Sequence, residues 1–275
     1  MSKLKFSPLI SVIVVIAFIA GGYFLVKSSL KEKVAEENTV PNTETEGEAP
    51  KLIDRSLITE RIYKEPDTYA VFDIVYPQFK NAGAEFNKKI EDLVMEGVAF
   101  HKEVSADNWQ SRFDTKQPGE KIGEFPKASE KYSLSISWKP TQVNNDYVSI
   151  LLIANGYTGG AHGYKSMISF NYNVADKEEV TLAELFPSDS KYLETISEFS
   201  REDLEAQFRK VLGVKTKEDE KNLKDSIIPM LLLGTEPDEI NFSTFTFTKD
   251  SATFYFAEYQ VAPYAMGTFK ITMPR

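Results

Sequence analysis

Two kinds of hydrophobic period divide the chain after residue 50 into strands and helices. Short runs in which apolar and polar residues alternate predict strands, at Leu52–Tyr63, Thr68–Tyr76, Lys131–Lys139, Tyr147–Asn155, Lys165–Asn173, Ile240–Thr248, Ala252–Phe256 and Thr268–Met273. Apolar residues at helical spacing predict helices that begin near Asn81 and Ser190, and a third helix is expected from Lys221. Because these runs are segregated and hairpins join several strands, we predict an α+β fold with a mostly antiparallel sheet packed with two to three helices.

Local motifs mark where the predicted helices begin and end. Thr181 followed by Glu184 forms a capping box that opens a short helix, and Gly213 is expected to end the long helix that follows. The segment Trp109–Lys127 contains turn residues without a period, so we expect an exposed loop there. His101 then falls near the end of the first helix, where we expect a solvated or helix-capping side chain.

An uncharged apolar run of eighteen residues spans Leu9–Val26 and is preceded by Lys3 and Lys5. Its length predicts one transmembrane helix before the folded region, and the positive residues place the N-terminus in the cytoplasm. The expected location is the bacterial cytoplasmic membrane, single-pass, with the main domain in the periplasm or at the cell surface. A cleaved signal peptide is the alternative. Its apolar region usually has about 7–15 residues, and the small-residue site at Ala20 lies inside the run, but a weaker cleavage site after Ser28 stays open.

The segment between residues 27 and 50 is polar and is predicted to be a disordered linker. The whole chain has 32 basic and 41 acidic side chains, and Lys3 and Lys5 precede the apolar run. The part beyond the run therefore has 30 basic against 41 acidic side chains, a formal net charge of −11. This excess disfavours nucleic acid, anionic lipid and anionic wall polymers as partners, and it favours a cationic partner. The alternative is that the negative charge merely keeps a secreted surface soluble.

The densest local motif is the connection Gly156–Gly163, which reads GYTGGAHG. It joins two predicted strands, and its glycines indicate positive φ, a bulge or the close approach of another group. It lacks the glycine before lysine that a phosphate loop requires. Its candidate ligand-binding residues are Tyr157, Gly159, Gly160 and His162. The alternative is a tight turn whose histidine is hydrogen-bonded within the sheet.

Two tyrosines near the C-terminus are further candidate ligand-binding residues. Tyr259 and Tyr264 lie in the segment YQVAPYAMG, where a proline interrupts the strand pattern and can present aromatic side chains near a sheet edge. The alternative places both rings in the core with their hydroxyls satisfied.

The residues that metal and acyl-transfer chemistry require are scarce. The chain has no cysteine, has His101 and His162 as its two histidines, and contains neither HExxH nor GxSxG. This composition disfavours a histidine zinc site, an acyl-transfer triad, disulfides and a lipoprotein anchor. We predict no cofactor, no metal and no catalytic residue. Carboxylates near His162 stay open as an alternative, glycan-hydrolysing site.

Four motifs follow one another along the chain, namely TGGAHG, FNYN, LAELF and YQVAPYAMG, at residues 158–163, 170–173, 182–186 and 259–267. Their order resembles the RsiV/PdaC-type extracytoplasmic domain family. The resemblance covers most of residues 52–275, with Gly163 where the family often has proline. It implies a PdaC-like N-terminal subdomain over residues 51–155 and an RsiV-like C-terminal subdomain over residues 156–275.

The family that the motifs resemble includes a lysozyme-binding sensor domain of a membrane-bound anti-sigma factor and the non-catalytic N-terminal part of a peptidoglycan deacetylase. Fewer than ten residues precede the apolar run, and Arg275 directly follows the last predicted strand. We therefore expect the shared module alone on a membrane anchor, recognising a lysozyme-like cationic wall hydrolase or a peptidoglycan fragment. A carbohydrate-acting envelope enzyme and a structural envelope component are the alternatives.

Overall fold

The computed structural model describes residues 52–275 of the chain. The predicted transmembrane helix and the predicted linker lie outside these residues and stay predictions. Within residues 52–275, no helix combines the length and the apolar character that crossing a membrane requires.

Nine strands and five α-helices account for most of the described residues. The strands are β1 (Ile58–Tyr63), β2 (Ala70–Phe79), β3 (Tyr132–Val143), β4 (Tyr147–Tyr157), β5 (Tyr164–Asn173), β6 (Glu178–Glu179), β7 (Phe245–Phe247), β8 (Ser251–Phe256) and β9 (Phe269–Pro274). The helices are α1 (Ala84–Asp114), α2 (Leu182–Leu185), α3 (Tyr192–Leu212), α4 (Lys217–Asn222) and α5 (Ile228–Gly234), with a π-helical turn at Leu223–Ile227 before α5.

The strands form two sheets. The first has the order β1-β2-β3-β4-β5-β6, and the second has the order β7-β8-β9. Strands β2 and β3 are parallel, whereas the other neighbours in both sheets are antiparallel. A parallel pair needs a long crossover connection, and α1 lies in it. The α+β prediction is confirmed. The described residues differ from it in detail, since they form two sheets and five α-helices, and the first sheet is mixed because of this one crossover.

Helix α1 is longer than the sequence pattern predicts. It has 31 residues, and a stripe at spacings of three or four is buried along it: Phe86, Ile90, Val94, Val98, His101, Ser105 and Trp109. The prediction of an exposed loop starting at Trp109 is wrong for that residue, since its ring is 1% exposed and its Nε1 donates to the carbonyl oxygen of Glu124 at 3.2 Å. In this part of α1, polar residues between the buried positions make the helical period difficult to recognise from the sequence. The prediction of a solvated or capping His101 is also wrong, because the helix continues past it and the side chain is fully buried.

The predicted ends of the C-terminal helices are confirmed. Thr181 and Glu184 form the capping box that opens α2, and Gly213 ends α3 in the left-handed conformation at φ 61°. The run Ile240–Thr248 is only partly a strand, since its first residues form a 3₁₀ turn at Glu239–Phe242. An aspartate side chain before that turn accepts a hydrogen bond from the Ile240 backbone, which favours the turn over an extended strand.

Each sheet buries one face against helices. Helix α1 packs on the first sheet, and the core between them includes Ile74, Phe86, Ile90, Leu134, Ile150 and Phe170. Helices α3 and α5 pack on the second sheet, and that core includes Ile196, Leu204, Phe208, Leu231, Phe254 and Ile271. Burial of such aliphatic and aromatic side chains is worth roughly 1.5–3 kcal/mol each and dominates the stability of both layers.

The second sheet covers one end of the first sheet's outer face, the face opposite α1. Ser149 on β4 accepts a hydrogen bond from the backbone of Phe247 at 2.9 Å, and its hydroxyl donates to Asn171 Oδ1 at 2.7 Å. Asn171 Nδ2 in turn donates to the carbonyl of Phe245 at 2.8 Å. We call this region the covered end. It leaves the other end of the outer face open, and the candidate site lies there.

Candidate functional site

A row of four polar side chains crosses the open end of the first sheet. Strand register places Asp73 beside Ser135, Ser135 beside Asn155, and Asn155 beside Lys165. Residues directly opposite each other in neighbouring strands share a face, so all four lie on the outer face. At the usual strand spacing the row is on the order of 14 Å long. We call it the polar row.

The strand alternation explains why these side chains face outward. In β3, Leu134 and Ile136 are buried in the core under α1, which turns Ser133 and Ser135 to the outer face. Ser133 is paired with Tyr157 on β4, so a tyrosine ring lies beside the polar row. The same alternation that builds the core therefore also builds the open end.

The polar row forms the floor of a cleft of about 370 Å³. Glu258 and Tyr264, from the connection between β8 and β9, line it together with Tyr157, Tyr164 and the polar row. Partial burial raises the pKa of the Glu258 carboxyl, although a hydrogen bond from the Lys165 backbone and the nearby His162 and Lys165 side chains act in the opposite direction. We call this the first cleft.

Three aromatic rings lie together at the rim of the first cleft: the His162 and Tyr264 rings are stacked, and the Tyr259 ring is tilted against Tyr264. The His162 and Tyr264 rings lie 3.8 Å apart between centroids with an interplanar angle of 25°, and Tyr259 lies 5.6 Å beyond Tyr264. The Tyr264 hydroxyl donates to the carbonyl of Gly163 at 3.0 Å, which fixes its ring against the β4–β5 connection. Tyr259 is 58% exposed and has φ 66°. A left-handed backbone at a tyrosine is strained, and such strain is concentrated at binding sites and other functional positions.

Two glycines shape the end of β4 and the connection from β4 to β5. Gly159 has φ 92°, and a Cβ there would lie 2.8 Å from the ring of Tyr132. Gly160 is not among the glycines with positive φ in the described residues. Its backbone conformation therefore does not require glycine. At Gly156 a Cβ would lie 2.3 Å from the ring of Tyr164, so glycine is required for that ring to lie over the strand.

Behind the first cleft, Tyr164 contacts the buried His101. Its hydroxyl lies 3.4 Å from His101 Nδ1. His101 Nε2 and Ser105 Oγ, one helical turn further along α1, are both buried without a hydrogen-bond partner. Desolvation lowers the pKa of His101 to about 4, although Asp67 opposes the shift. His101 is therefore a neutral imidazole beneath the cleft at neutral pH.

The structure brings the sequence-predicted candidates together in one region. Tyr157 and Tyr264 line the first cleft, His162 and Tyr259 belong to the aromatic stack at its rim, and Gly159 and Gly160 lie in the connection between β4 and β5. Their role in binding stays a prediction.

Sequence reasoning missed the floor of the first cleft and one of its walls: Asp73, Ser133, Ser135, Asn155, Lys165 and Glu258. The alternation of small polar with large apolar residues in β3 was the available signal. This alternation indicates a binding surface only when the strand register is known, because the register brings polar positions from four strands into one row.

The chemistry of the first cleft is hydrogen bonding combined with ring stacking. Hydroxyl, amide, carboxylate and ammonium groups offer both donors and acceptors along the polar row, and the tyrosines add flat apolar faces with polar edges. Among residues 52–275, no group of three or more histidine, cysteine or acidic side chains is arranged to hold a metal ion.

Comparison with known families divides the described region in two. Residues 63–165 match the family model described as Deacetylase PdaC. Residues 183–275 match the family model described as Protein of unknown function (DUF3298).

One curated relative and two solved structures are similar to the chain. Peptidoglycan-N-acetylmuramic acid deacetylase PdaC of Bacillus subtilis (strain 168) is 26% identical, over 69% of this chain and 40% of the relative. The chain therefore spans less than half the length of that relative. A crystal structure of a DUF3298 family member from Bacteroides fragilis has a TM-score of 0.53 at 19% identity and covers 79% of this chain and 89% of that chain. A DUF3298 family protein from Pseudomonas aeruginosa PAO1 has a TM-score of 0.45 at 15% identity, over 79% of this chain and 88% of that chain.

The two family matches follow each other in the order that the four sequence motifs imply, and the Bacteroides fragilis structure shares the fold. The resemblance inferred from the motifs is thereby confirmed: the described region is PdaC/DUF3298-like, with residues 63–165 similar to the first family and residues 183–275 similar to the second.

Proposed function

We propose that residues 52–275 form an extracytoplasmic, cell-wall-related binding module whose first cleft recognises a peptidoglycan fragment. The observation that carries this proposal is the polar row with tyrosine rings beside it. Sugars have hydroxyl groups at their edges and apolar C–H faces. The polar row can form hydrogen bonds with the hydroxyl groups, and the tyrosine rings can pack against the C–H faces. Its volume, about 370 Å³, is within the usual range for small-ligand sites.

The relatives support a cell-wall context for this proposal. The Bacillus subtilis relative is named a peptidoglycan deacetylase, and residues 63–165 match the family model that carries its name. The part of the relative outside the match is larger than the part within it. We therefore propose a cell-wall context for this chain, and we do not propose that it catalyses the deacetylation for which the relative is named.

Titration of purified full-length protein with soluble peptidoglycan fragments tests the proposal. Asn155→Ala removes an amide from the middle of the polar row and should weaken binding about tenfold, the effect of losing one to two hydrogen bonds. Ser137→Ala is the matched control, since Ser137 is an exposed serine on β3 that does not line the cleft. No binding by the wild-type protein, or equal losses in the two variants, would contradict the proposal.

A cationic, lysozyme-like wall hydrolase is the second candidate partner. Two observations favour it: the formal net charge of −11 beyond the apolar run, and the exposed, strained Tyr259 at the cleft rim. Binding to such a protein should weaken steeply as salt concentration rises, because screening reduces electrostatic attraction and steering. Binding that is insensitive to salt would contradict the inference that the negative net charge attracts the partner.

A carbohydrate-acting enzyme is the competing function, and Glu258 is the observation that favours it. It is a carboxyl with a raised pKa beside His162, and a raised pKa suits a general acid. Product analysis after prolonged incubation with peptidoglycan distinguishes the two functions. Turnover that is lost in Glu258→Gln would establish the enzyme, whereas a binding module should release no product.

The membrane location is also a proposal, supported by the apolar run Leu9–Val26 and the lysines before it. A reporter fused after Arg275 should be active outside the cytoplasm, and the intact chain should fractionate with membranes. Recovery of a soluble form beginning near Tyr23 or Ser29 would indicate cleavage instead.

A further inference from the structure

A second cleft of about 470 Å³ adjoins the first on the side of β1. Val71 and Asp73 on β2 line both clefts. The two clefts therefore meet at these two side chains.

The first cleft lies on the outer face of the first sheet, and the second cleft reaches that face at Ile62, Val71 and Asp73. Val71 and Asp73 belong to the outward set of β2, as the register with Ser133 and Ser135 shows. Ile62 on β1 is paired with Val75, which shares that face because alternate residues in a strand point the same way. Adding β1 to the polar row extends the surface to about 19 Å at the usual strand spacing. That is longer than one sugar ring.

The two clefts differ in chemistry. The first has the polar row and the tyrosine rings. The second contains two exposed aliphatic side chains, Ile62 at 58% and Val71 at 51% exposure, with charged groups such as Lys64 and Glu65 around them. An aliphatic floor with a polar rim suits a pyranose ring lying flat, since its C–H face is apolar and its edge carries hydroxyls.

We propose that the two clefts are consecutive subsites of one groove that binds an extended glycan strand across β2. Val71 and Asp73 lie beneath the crossing point, and the second cleft adds contacts that a disaccharide in the first cleft does not reach. This inference rests on the proposed recognition of peptidoglycan fragments and specifies that the ligand is a polymer.

A length series of peptidoglycan glycan strands tests the inference on the full-length protein. The probes are strands of two, four and eight sugars made of alternating N-acetylglucosamine and N-acetylmuramic acid. Affinity should rise at least tenfold from the disaccharide to the octasaccharide in the wild-type protein. Ile62→Asp and, as a second variant, Lys64→Ala should reduce this gain and leave disaccharide affinity unchanged.

Ile240→Asp is the matched control, since Ile240 is a similarly exposed isoleucine, at 66%, that lines neither cleft. It should retain the full gain with length. Equal wild-type affinity for short and long strands would overturn the groove and leave the proposed function standing. A gain that persists in both Ile62→Asp and Lys64→Ala would overturn the second subsite. Absence of binding to every strand would overturn both proposals.

Discussion

The two ends of the outer sheet face carry similar residues in different surroundings. At the covered end, Ser149 and Asn171 are buried and bonded to each other and to β7. At the open end, Ser135 and Asn155 lie on the same face with no second sheet above them. Leaving a buried polar group without a hydrogen-bond partner costs free energy, whereas exposed groups are free to exchange water for a ligand. The same serine and asparagine chemistry therefore stabilises the fold at one end and is available for binding at the other.

The sharpest test of this contrast is a pair of asparagine substitutions. Asn171→Ala should lower the free energy of unfolding by about 2–4 kcal/mol, because it leaves the Ser149 hydroxyl and the Phe245 carbonyl buried without their partner. Asn155→Ala should change it by less than about 0.5 kcal/mol. Urea denaturation of both variants measures the difference, and equal losses would show that the two ends do not differ in stability.

Acid should weaken the region beneath the open end and leave the neutral network of the covered end intact. The folded-state pKa of His101 is lowered from 6.5 to about 4, so the unfolded chain binds a proton at higher pH than the folded one. This contribution is fully present above pH 6.5 and is lost as pH falls toward 4, by about 2 kcal/mol at pH 5 and about 3 kcal/mol at pH 4.

Denaturation at several pH values checks the role of His101. His101→Phe should remove this part of the pH dependence, and His162→Ala, at an exposed histidine, should retain it. If His101→Phe keeps the wild-type slope between pH 6.5 and 4, protonation of another group is responsible.

The packing beneath the open end depends on a glycine that a larger residue cannot replace. Gly156→Ala should cost about 1–3 kcal/mol, because its Cβ would overlap the Tyr164 ring. Combining it with Tyr164→Ala should restore part of the loss relative to the sum of the single effects. Gly97→Ala is the control, since nothing lies within 4 Å of a Cβ there, and it should be neutral or stabilising. Strict additivity in a double-mutant cycle would exclude the overlap.

The smallest expected effect concerns the connection between β4 and β5. Gly159→Ala should cost about 1–2 kcal/mol, since its φ of 92° is unfavourable for alanine and its Cβ would approach Tyr132. Gly160→Ala should be within about 0.5 kcal/mol of wild type. Melting temperatures rank the two, and a larger loss at Gly160 would mean that the connection is held by something other than backbone conformation.

The sequence pattern predicted those elements whose period is carried by apolar residues. Strands β3 to β5 and helix α3 were anticipated within a few residues, because alternation and the glycine at 213 are local signals. The C-terminal half of α1 was not, since polar residues dominate its exposed side between Ser105 and Asp114.

The candidate site was predictable only in part, for a related reason. Tyr157 and His162 are next to glycines in the sequence, and this local motif was enough to predict them as candidate ligand-binding residues. Asp73 and Lys165 are brought into the first cleft by the register of four strands, and Glu258 is brought there by the docking of the second sheet. Non-local pairing of this kind leaves no periodic trace in a single sequence.

The stack of His162 on Tyr264 has a consequence for when the site can exist during synthesis. The hydrogen bond from Tyr264 to Gly163 joins residues 101 positions apart, and both sides of the first cleft depend on that contact. A ribosome-bound chain that has not yet released β8 and β9 has β2 to β5 but lacks Glu258, Tyr264 and the aromatic stack. Long-range contacts of this kind form late because the intervening chain must first be ordered. Under the proposed function, ligand capture is thus confined to chains whose C-terminal sheet has docked.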